Sequence, residues 1–262
     1  MNRFLALGAT AACSVSALAF ATDCRNPTTL AEKKNCASKE YDAADKELNA
    51  VWPLAQAYMK YVDSNGADPV TPLPEDATPA AKLLTIAQRA WISHRDLDCA
   101  ASAASSSGAS DREVFKLQCL GEKTRARADE LRKIHADTAF LDMTEDVRAR
   151  FEEVKWSLPG CEDQVSSLGW NRCMNAVFDV GDRNFNYRYR VVKSALARYP
   201  GAVNSLVSSE RAWITIRDND CEAVAREMYA STSYPAFGTV CHIRKTIERT
   251  FELQARFPAV IE

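Results

Sequence analysis

The chain has 262 residues, 47% of them apolar and 26% charged, with a formal net charge of −2. That balance supplies enough apolar residues for a packed core and excludes a disordered chain. A net charge this near zero argues against a nucleic-acid binder, which would need a basic stripe, and the length suits one large domain or two small ones.

The first residues, MNRFLALGATAACSVSALAFATDC, have the layout of a secretory signal. Arg3 supplies the positive start, an apolar run follows, and Ala19-Phe20-Ala21 gives the small-x-small cleavage pattern. A signal peptide over 1–21 leaves Thr22 as the first exported residue and implies a periplasmic or secreted protein. A membrane anchor is the weaker reading, because Thr10, Ser14 and Ser16 interrupt a run that is short for a span. A lipid-modified Cys13 is weaker too, since TAAC lacks a large apolar residue three positions before the cysteine. No later segment is long and apolar enough to span a bilayer.

Eight cysteines follow the signal: Cys24, Cys36, Cys99, Cys119, Cys161, Cys173, Cys221 and Cys241. An even count in an exported chain reads as disulfides. With no CxxC, no HExxH and three histidines, neither a metal nor a cofactor is expected. Their spacing shows more. Cys24 to Cys36 and Cys161 to Cys173 are both steps of 12, while Cys99 to Cys119 and Cys221 to Cys241 are both steps of 20. The gap between the steps shortens from 63 (Cys36 to Cys99) to 48 (Cys173 to Cys221). This is a tandem duplication with one length change, which falls in the Pro- and Gly-bearing stretch Asp63–Pro79, a loop.

In chain order, the first helix opens at Thr29, where TLAE forms a capping box. Tyr41, Asp45, Leu48, Asn49 and Trp52 share one face, and Pro53 is expected to kink or end the helix. The second helix covers about 79–104 with Leu84, Ala87, Trp91, Arg95 and Cys99 on one side. Ser105–Ser110 is a loop, and SDRE caps a third helix ending near His135. TEDVRARFEEVKW (Thr144–Trp156) reads as a connecting amphipathic helix stopped by Leu158-Pro159-Gly160. The acids Asp142, Glu145, Asp146, Glu152 and Glu153 form its solvated face. The second copy repeats the plan, with RYPGA (Arg198–Ala202) and STSYPAFG (Ser231–Gly238) as its loops. No strand pattern of useful length occurs. The expected fold is all-α: two tandem disulfide-braced three-helix domains, 22–136 and 161–262, joined through a connector over 137–160.

Identical outer steps favour Cys24–Cys36, Cys99–Cys119, Cys161–Cys173 and Cys221–Cys241, with crossed pairs tying helix one to helix two as the alternative. The segments AWISHRDLDC (90–99) and AWITIRDNDC (212–221) keep Trp, Arg and Asp in both copies. Trp91 and Arg95 lie one turn apart, and Asp98 continues that face. A core-side arginine needs an acid, so the spacing predicts a network of Asp45, Asn49, Arg95 and Arg127 under Trp91, with Asp98 as a further partner for Arg95. Its mirror is Asp182, Asn186, Arg217 and Arg249 under Trp213, with Asp220. These residues read as a structural brace rather than a recognition site, because they point inward. Loops are then the expected contact face.

No catalytic set emerges. His94-Arg95-Asp96 echoes a kinase catalytic loop, but glycine-rich loop and DFG are missing and the second copy reads Ile216-Arg217-Asp218. Ser106 and Ser107 sit in a linker, and Asp42 with Asp45 on a helix is more often structure than acid–base chemistry. The expectation is a non-enzymatic protein.

The early C-x11-C, the helix EYDAADKELN, the helix AQRAWISHRDLDC and the late CLGEKTRARADEL together resemble the LprI-type lysozyme inhibitor domain, over about 24–131 and again over 161–253. The blocks Trp91/Arg95/Asp96/Cys99 and Trp213/Arg217/Asp218/Cys221 carry most of the likeness. The second copy departs from it at Ser166 and Gly169, which align with the capping Thr29 and Glu32, and at Glu210 in place of Gln88. The resemblance implies a protein partner, a lysozyme-type or other envelope-targeting hydrolase, that the domain binds and blocks. A periplasmic immunity protein against another secreted toxin, or an envelope factor of different activity, is the alternative.

Overall fold

Thr29 and Glu32 start the first helix, α1 (Leu30–Asn65), by satisfying its orphan amides. Thr29 Oγ1 accepts from the Glu32 N–H at 3.2 Å, and Glu32 Oε2 accepts from the Thr29 N–H at 2.9 Å. Backbone N–H groups of Thr29 and Thr28 lower the Glu32 carboxyl to about 2. The protein is seen through a computed structural model that describes residues 24–65, 75–105, 108, 110–134, 143–161, 166–226 and 234–257. The signal segment 1–21 with Cys13, most of the Asp63–Pro79 loop, Ser106, Ser107, His135, Asp142 and residues 231–233 lie outside these.

Pro53 does not end α1. The proline removes one backbone donor, but Val51, Ala55, Met59 and Val62 are buried on both sides of it, and that tertiary burial carries the helix through. At the far end, Asp63 accepts from the N–H groups of Ala80 at 2.6 Å and Ala81 at 3.1 Å. A carboxylate from the end of α1 thus caps α2 (Ala80–Ser105), and the loop that differs in length between the copies is pinned at both ends. α3 spans Arg112–Arg132, and Asp111 before it makes no side-chain cap bond, contrary to the SDRE expectation. α4 (Glu145–Ser157) is the connector, followed by Gly160 at φ 84°.

In the second copy α5 (Ser167–Ala195) opens at Ser166, whose hydroxyl accepts from the Gly169 N–H at 3.1 Å, so a cap survives without the glutamate. A 3-10 turn (Leu196–Arg198) leads through Gly201 (φ 80°) to α6 (Ala202–Ala225). α7 (Tyr234–Arg256) begins inside the segment expected to be a loop. Among the described residues there is no strand. The disulfides are Cys24–Cys36, Cys99–Cys119, Cys161–Cys173 and Cys221–Cys241. The 20-residue pairs tie α2 to α3 and α6 to α7, and loops of that length stabilise by roughly 3 kcal/mol each.

Each copy runs up, down and up, but α2 and α6 lie against each other more extensively than against their own neighbours. Small or buried residues recur every seventh position on both: Ala80, Ala87, His94, Ala101 and Ala202, Ser209, Ile216, Ala223. His94 touches Ser209, which fixes an antiparallel register. In that register Ala80 faces Ala223, Ala87 faces Ile216 and Ala101 faces Ala202. Large residues meet small ones, so the two backbones approach closely. The core is therefore shared: Ile216 and Ala223 join the apolar cluster of α1–α3, and Ala101 joins that of α5–α7. The first copy packs α1 tightly on α3, because a Cβ on Gly121 would sit 3.4 Å from the Tyr41 backbone nitrogen. The second copy has buried Ile243 at this place and uses α4 (Val147, Phe151, Val154) to complete its core.

Candidate functional site

The repeated polar residues of α2, α3, α6 and α7 converge on the seam between the copies. Arg127 on α3 reaches across it and forms a two-pronged pair with Asp220 on α6, at 2.7 and 3.1 Å. Its other contacts are Glu130 at 2.6 Å and the Gln88 amide oxygen at 2.9 Å. Arg249 on α7 does the reciprocal: Asp98 on α2 at 2.6 Å, Glu252 at 2.6 Å and both Glu210 oxygens at 3.1 and 3.2 Å through Nε. The lysines repeat the exchange. Lys123 lies 3.0 Å from Asp98 Oδ2 and hydrogen-bonds Glu252 of the other copy, while Lys245 bonds Asp220 at 3.1 Å and Glu130 of the other copy. Asp98 Oδ2 has close cations, including Arg256 Nε at 3.5 Å, but no hydrogen bond of good geometry.

Helical spacing explains the convergence. Lys123, Arg127 and Glu130 lie at i, i+4 and i+7 on α3, as do Lys245, Arg249 and Glu252 on α7, so each trio forms one face. Arg127 and Arg249 are 2% and 1% exposed, so either would be costly without its partner. Burial opposes ionisation of Asp98, yet Arg249 and Lys123 outweigh it and hold the carboxyl well below the usual range. The same balance, with burial opposed by Lys245 and Arg127 at Glu130 and by Lys123 and Arg249 at Glu252, lowers both of those acids. Glu210 and Glu248 move the other way, since burial exceeds the pull of Arg249 and Arg244.

His94 breaks the symmetry, its counterpart being Ile216. Burial first, then Lys123 and Arg249, lower its imidazole to about 3, so it is neutral. Lys123 Nζ lies 3.1 Å from Nε2 and can only donate, so Nε2 accepts and Nδ1 carries the proton. Nδ1 then donates to Ser209, whose hydroxyl is 2.9 Å away. His94, Asp98 and Glu252 have a spread that would suit a cation, and the Lys123 ammonium sits at that point. No metal ligand set is assigned. A cavity of about 590 Å³ opens on the seam, with Trp91, Trp213, Lys123, Arg127, Lys245 and Arg249 in its wall.

The structure separates the residues that the sequence grouped together. Asp45 and Asn49 bond one another at 2.9 Å near the surface and do not reach Arg127. Arg95 pairs with Asp96 at 2.9 Å and Thr124 at 3.3 Å, with its guanidinium 5.0 Å from the Trp91 ring and 5.4 Å from Tyr41. Asp98 therefore serves Lys123 and Arg249 instead of Arg95. In the second copy Asp182 and Asn186 bond at 2.8 Å, and Arg217 contacts Asp218 at 2.9 Å and lies over Trp213 at 5.2 Å. The expected pairing of Arg217 with Asp182 is present as a long ion pair at 4.0 Å, whereas Asp220 goes to Arg127 and Lys245. The reason is geometric: α3 and α7 turn their charged faces toward the other copy, while Arg95 and Arg217 pack against the first helix of their own copy, over Tyr41 of α1 and Phe178 of α5. Sequence reasoning passed over Lys123, Glu130, Lys245 and Glu252 as partners. Their repeated Lys-x3-Arg-x2-Glu spacing was the available signal.

A family model described as "Lysozyme inhibitor LprI" matches residues 24–131 and 161–253. The chain is also 36% identical over 114 residues to "Uncharacterized protein R02472" of Rhizobium meliloti (strain 1021), a match covering 43% of this chain and 78% of that protein. No solved structure matches it.

Proposed function

The chain belongs to the lysozyme inhibitor LprI family, in two copies, and on that premise we propose that it is an exported binding protein that blocks a lysozyme or a related cell-wall hydrolase. The single observation that carries this reading is the family match over both copies. Three features of the fold accompany it. The cystines suit an oxidising compartment, and no described helix is long and apolar enough to cross a membrane. The seam carboxylates Asp98, Glu130 and Glu252 are held ionised by cations, which makes them poor general acids and good braces. A rigid, braced helical unit loses little entropy on docking, so it binds without an ordering cost. Binding, not turnover, is the activity assigned, and the protein acts in the periplasm or outside the cell.

The test is a cell-wall turbidity assay with lysozyme and the purified protein. Clearing should slow in proportion to added protein and stop near stoichiometric amounts. Unchanged clearing at a large molar excess, with lysozyme and with the producing bacterium's own cell-wall hydrolases, would overturn the reading.

A further inference from the structure

The second copy carries a charged face that the first copy lacks. From Arg183 to Ser209 the chain has five cations (Arg183, Arg188, Arg190, Lys193, Arg198) and no Asp or Glu. Arg183, Tyr187, Arg190, Lys193 and Arg198 are exposed, at helical spacing along α5 and the 3-10 turn after it. Tyr187 is 61% exposed. The half-buried rings of Tyr189 and Tyr199 lie beneath Lys193 (5.8 Å) and Arg198 (5.2 Å). No ion pair to another described residue engages any of the five cations, whereas Lys123, Arg127, Lys245 and Arg249 of the seam are all paired. In α1 the positions aligned with Arg183, Arg190, Lys193 and Arg198 are Lys46, Pro53, Gln56 and Tyr61, so three of the four exposed cations belong to this copy alone and the fold does not require them. Asp179, one turn before Arg183, and the half-buried Asp182 beside it are the acids at the edge of the face.

We propose that this face of α5 docks the protein onto an anionic lipid bilayer. Unpaired arginine and lysine side chains with interleaved tyrosines match a phosphate-bearing interface, where cations meet headgroups and tyrosine rings settle at the polar boundary. The exposed cations run along α5 and the turn that follows it, which suits a plane of many headgroups rather than a pocket for one group. The apolar side of α5 (Val177, Phe185, Val192) is committed to the core, so attachment is peripheral and electrostatic.

Co-sedimentation of the full chain with vesicles tests this. Vesicles of 30% phosphatidylglycerol in phosphatidylcholine should bind it at 50 mM NaCl and release it at 500 mM, and pure phosphatidylcholine vesicles should retain far less. The variant Arg183→Gln/Arg190→Gln/Lys193→Gln/Arg198→Gln, checked for native helicity, should lose at least tenfold in partitioning. Removing four cations from α1 (Lys33→Gln/Lys34→Gln/Lys39→Gln/Lys46→Gln) should change it less than twofold. Equal loss from both variants, salt-insensitive binding, or retention of a soluble anionic polysaccharide without vesicle binding would overturn the proposal. The outcome is independent of the turbidity assay.

Discussion

Around Arg127 the contacts are Asp220, Glu130 and the amide of Gln88; around Arg249 they are Asp98, Glu252 and the carboxylate of Glu210. Lys123 touches His94, whereas the position equivalent to His94 beside Lys245 is Ile216. The third cation also differs, being Arg256 in one half and Arg244, paired with Glu248, in the other. Each half still balances its buried charge: Arg249, Lys123 and Arg256 against Asp98, Glu210 and Glu252, and Arg127, Lys245 and Arg244 against Asp220, Glu130 and Glu248. The copies drifted in which residues supply the charge and kept the exchange across the seam. Compensation inside a low-dielectric site is what constrained them, since an unpaired ion there is the costly outcome.

The largest expected effect comes from removing the shared acids. Asp98→Ala removes the buried acid that Arg249 and Lys123 share, and Asp220→Ala the one that Arg127 and Lys245 share, leaving each pair of cations in excess over its remaining acids. Each should lower the unfolding free energy by about 3–5 kcal/mol in urea titration, in a single transition for both copies. A full loss for one and less than about 1 kcal/mol for the other would show that the halves are not equivalent.

Next comes the asymmetric residue. His94 is lowered to about 3 when folded and titrates near its ordinary value of 6.5 when unfolded. Between those values the unfolded chain binds a proton that the folded chain does not, so stability falls as pH falls. The slope approaches about 1.4 kcal/mol per pH unit. His94→Ile, copying Ile216, removes this dependence. The stability difference between wild type and variant should shrink or invert by about 1.6 kcal/mol from pH 6.5 to 5. A difference that stays flat across that window would contradict the neutral, buried assignment.

The smallest effect sharpens the contrast between seam and surface. Asp45→Asn should cost no more than about 0.5 kcal/mol, because Asp45 bonds Asn49 at the surface and holds no buried cation. Thermal unfolding of this variant against Asp98→Ala measures that difference directly.

Much of the architecture was legible in the residues. Cysteine spacing exposed the duplication, and capping at Thr29 and the three-helix plan of each copy followed from local pattern. Pro53 misled because its effect is local, whereas the burial of Val51 and Met59 that overrides it is tertiary. The brace was recognised in kind and misplaced in partner. A helix face states that Arg127 needs an acid, but not which chain segment will bring it, and Asp220 lies 93 residues away. The close contact of α2 with α6 was not foreseen: alanines seven residues apart do not name the helix they face, and only the register set by His94 and Ser209 shows that the partner is the other copy. The cavity on the seam has no local signature at all.

A double-mutant cycle on Arg127 and Asp220 tests the exchanged brace most directly. With Arg127→Met, Asp220→Leu and the double variant, the coupling energy should be about 1–3 kcal/mol, and the same cycle on Arg127 and Asp45 should give less than about 0.5 kcal/mol. Coupling confined to Arg127 and Asp45, with none across the seam, would contradict the structure of the junction.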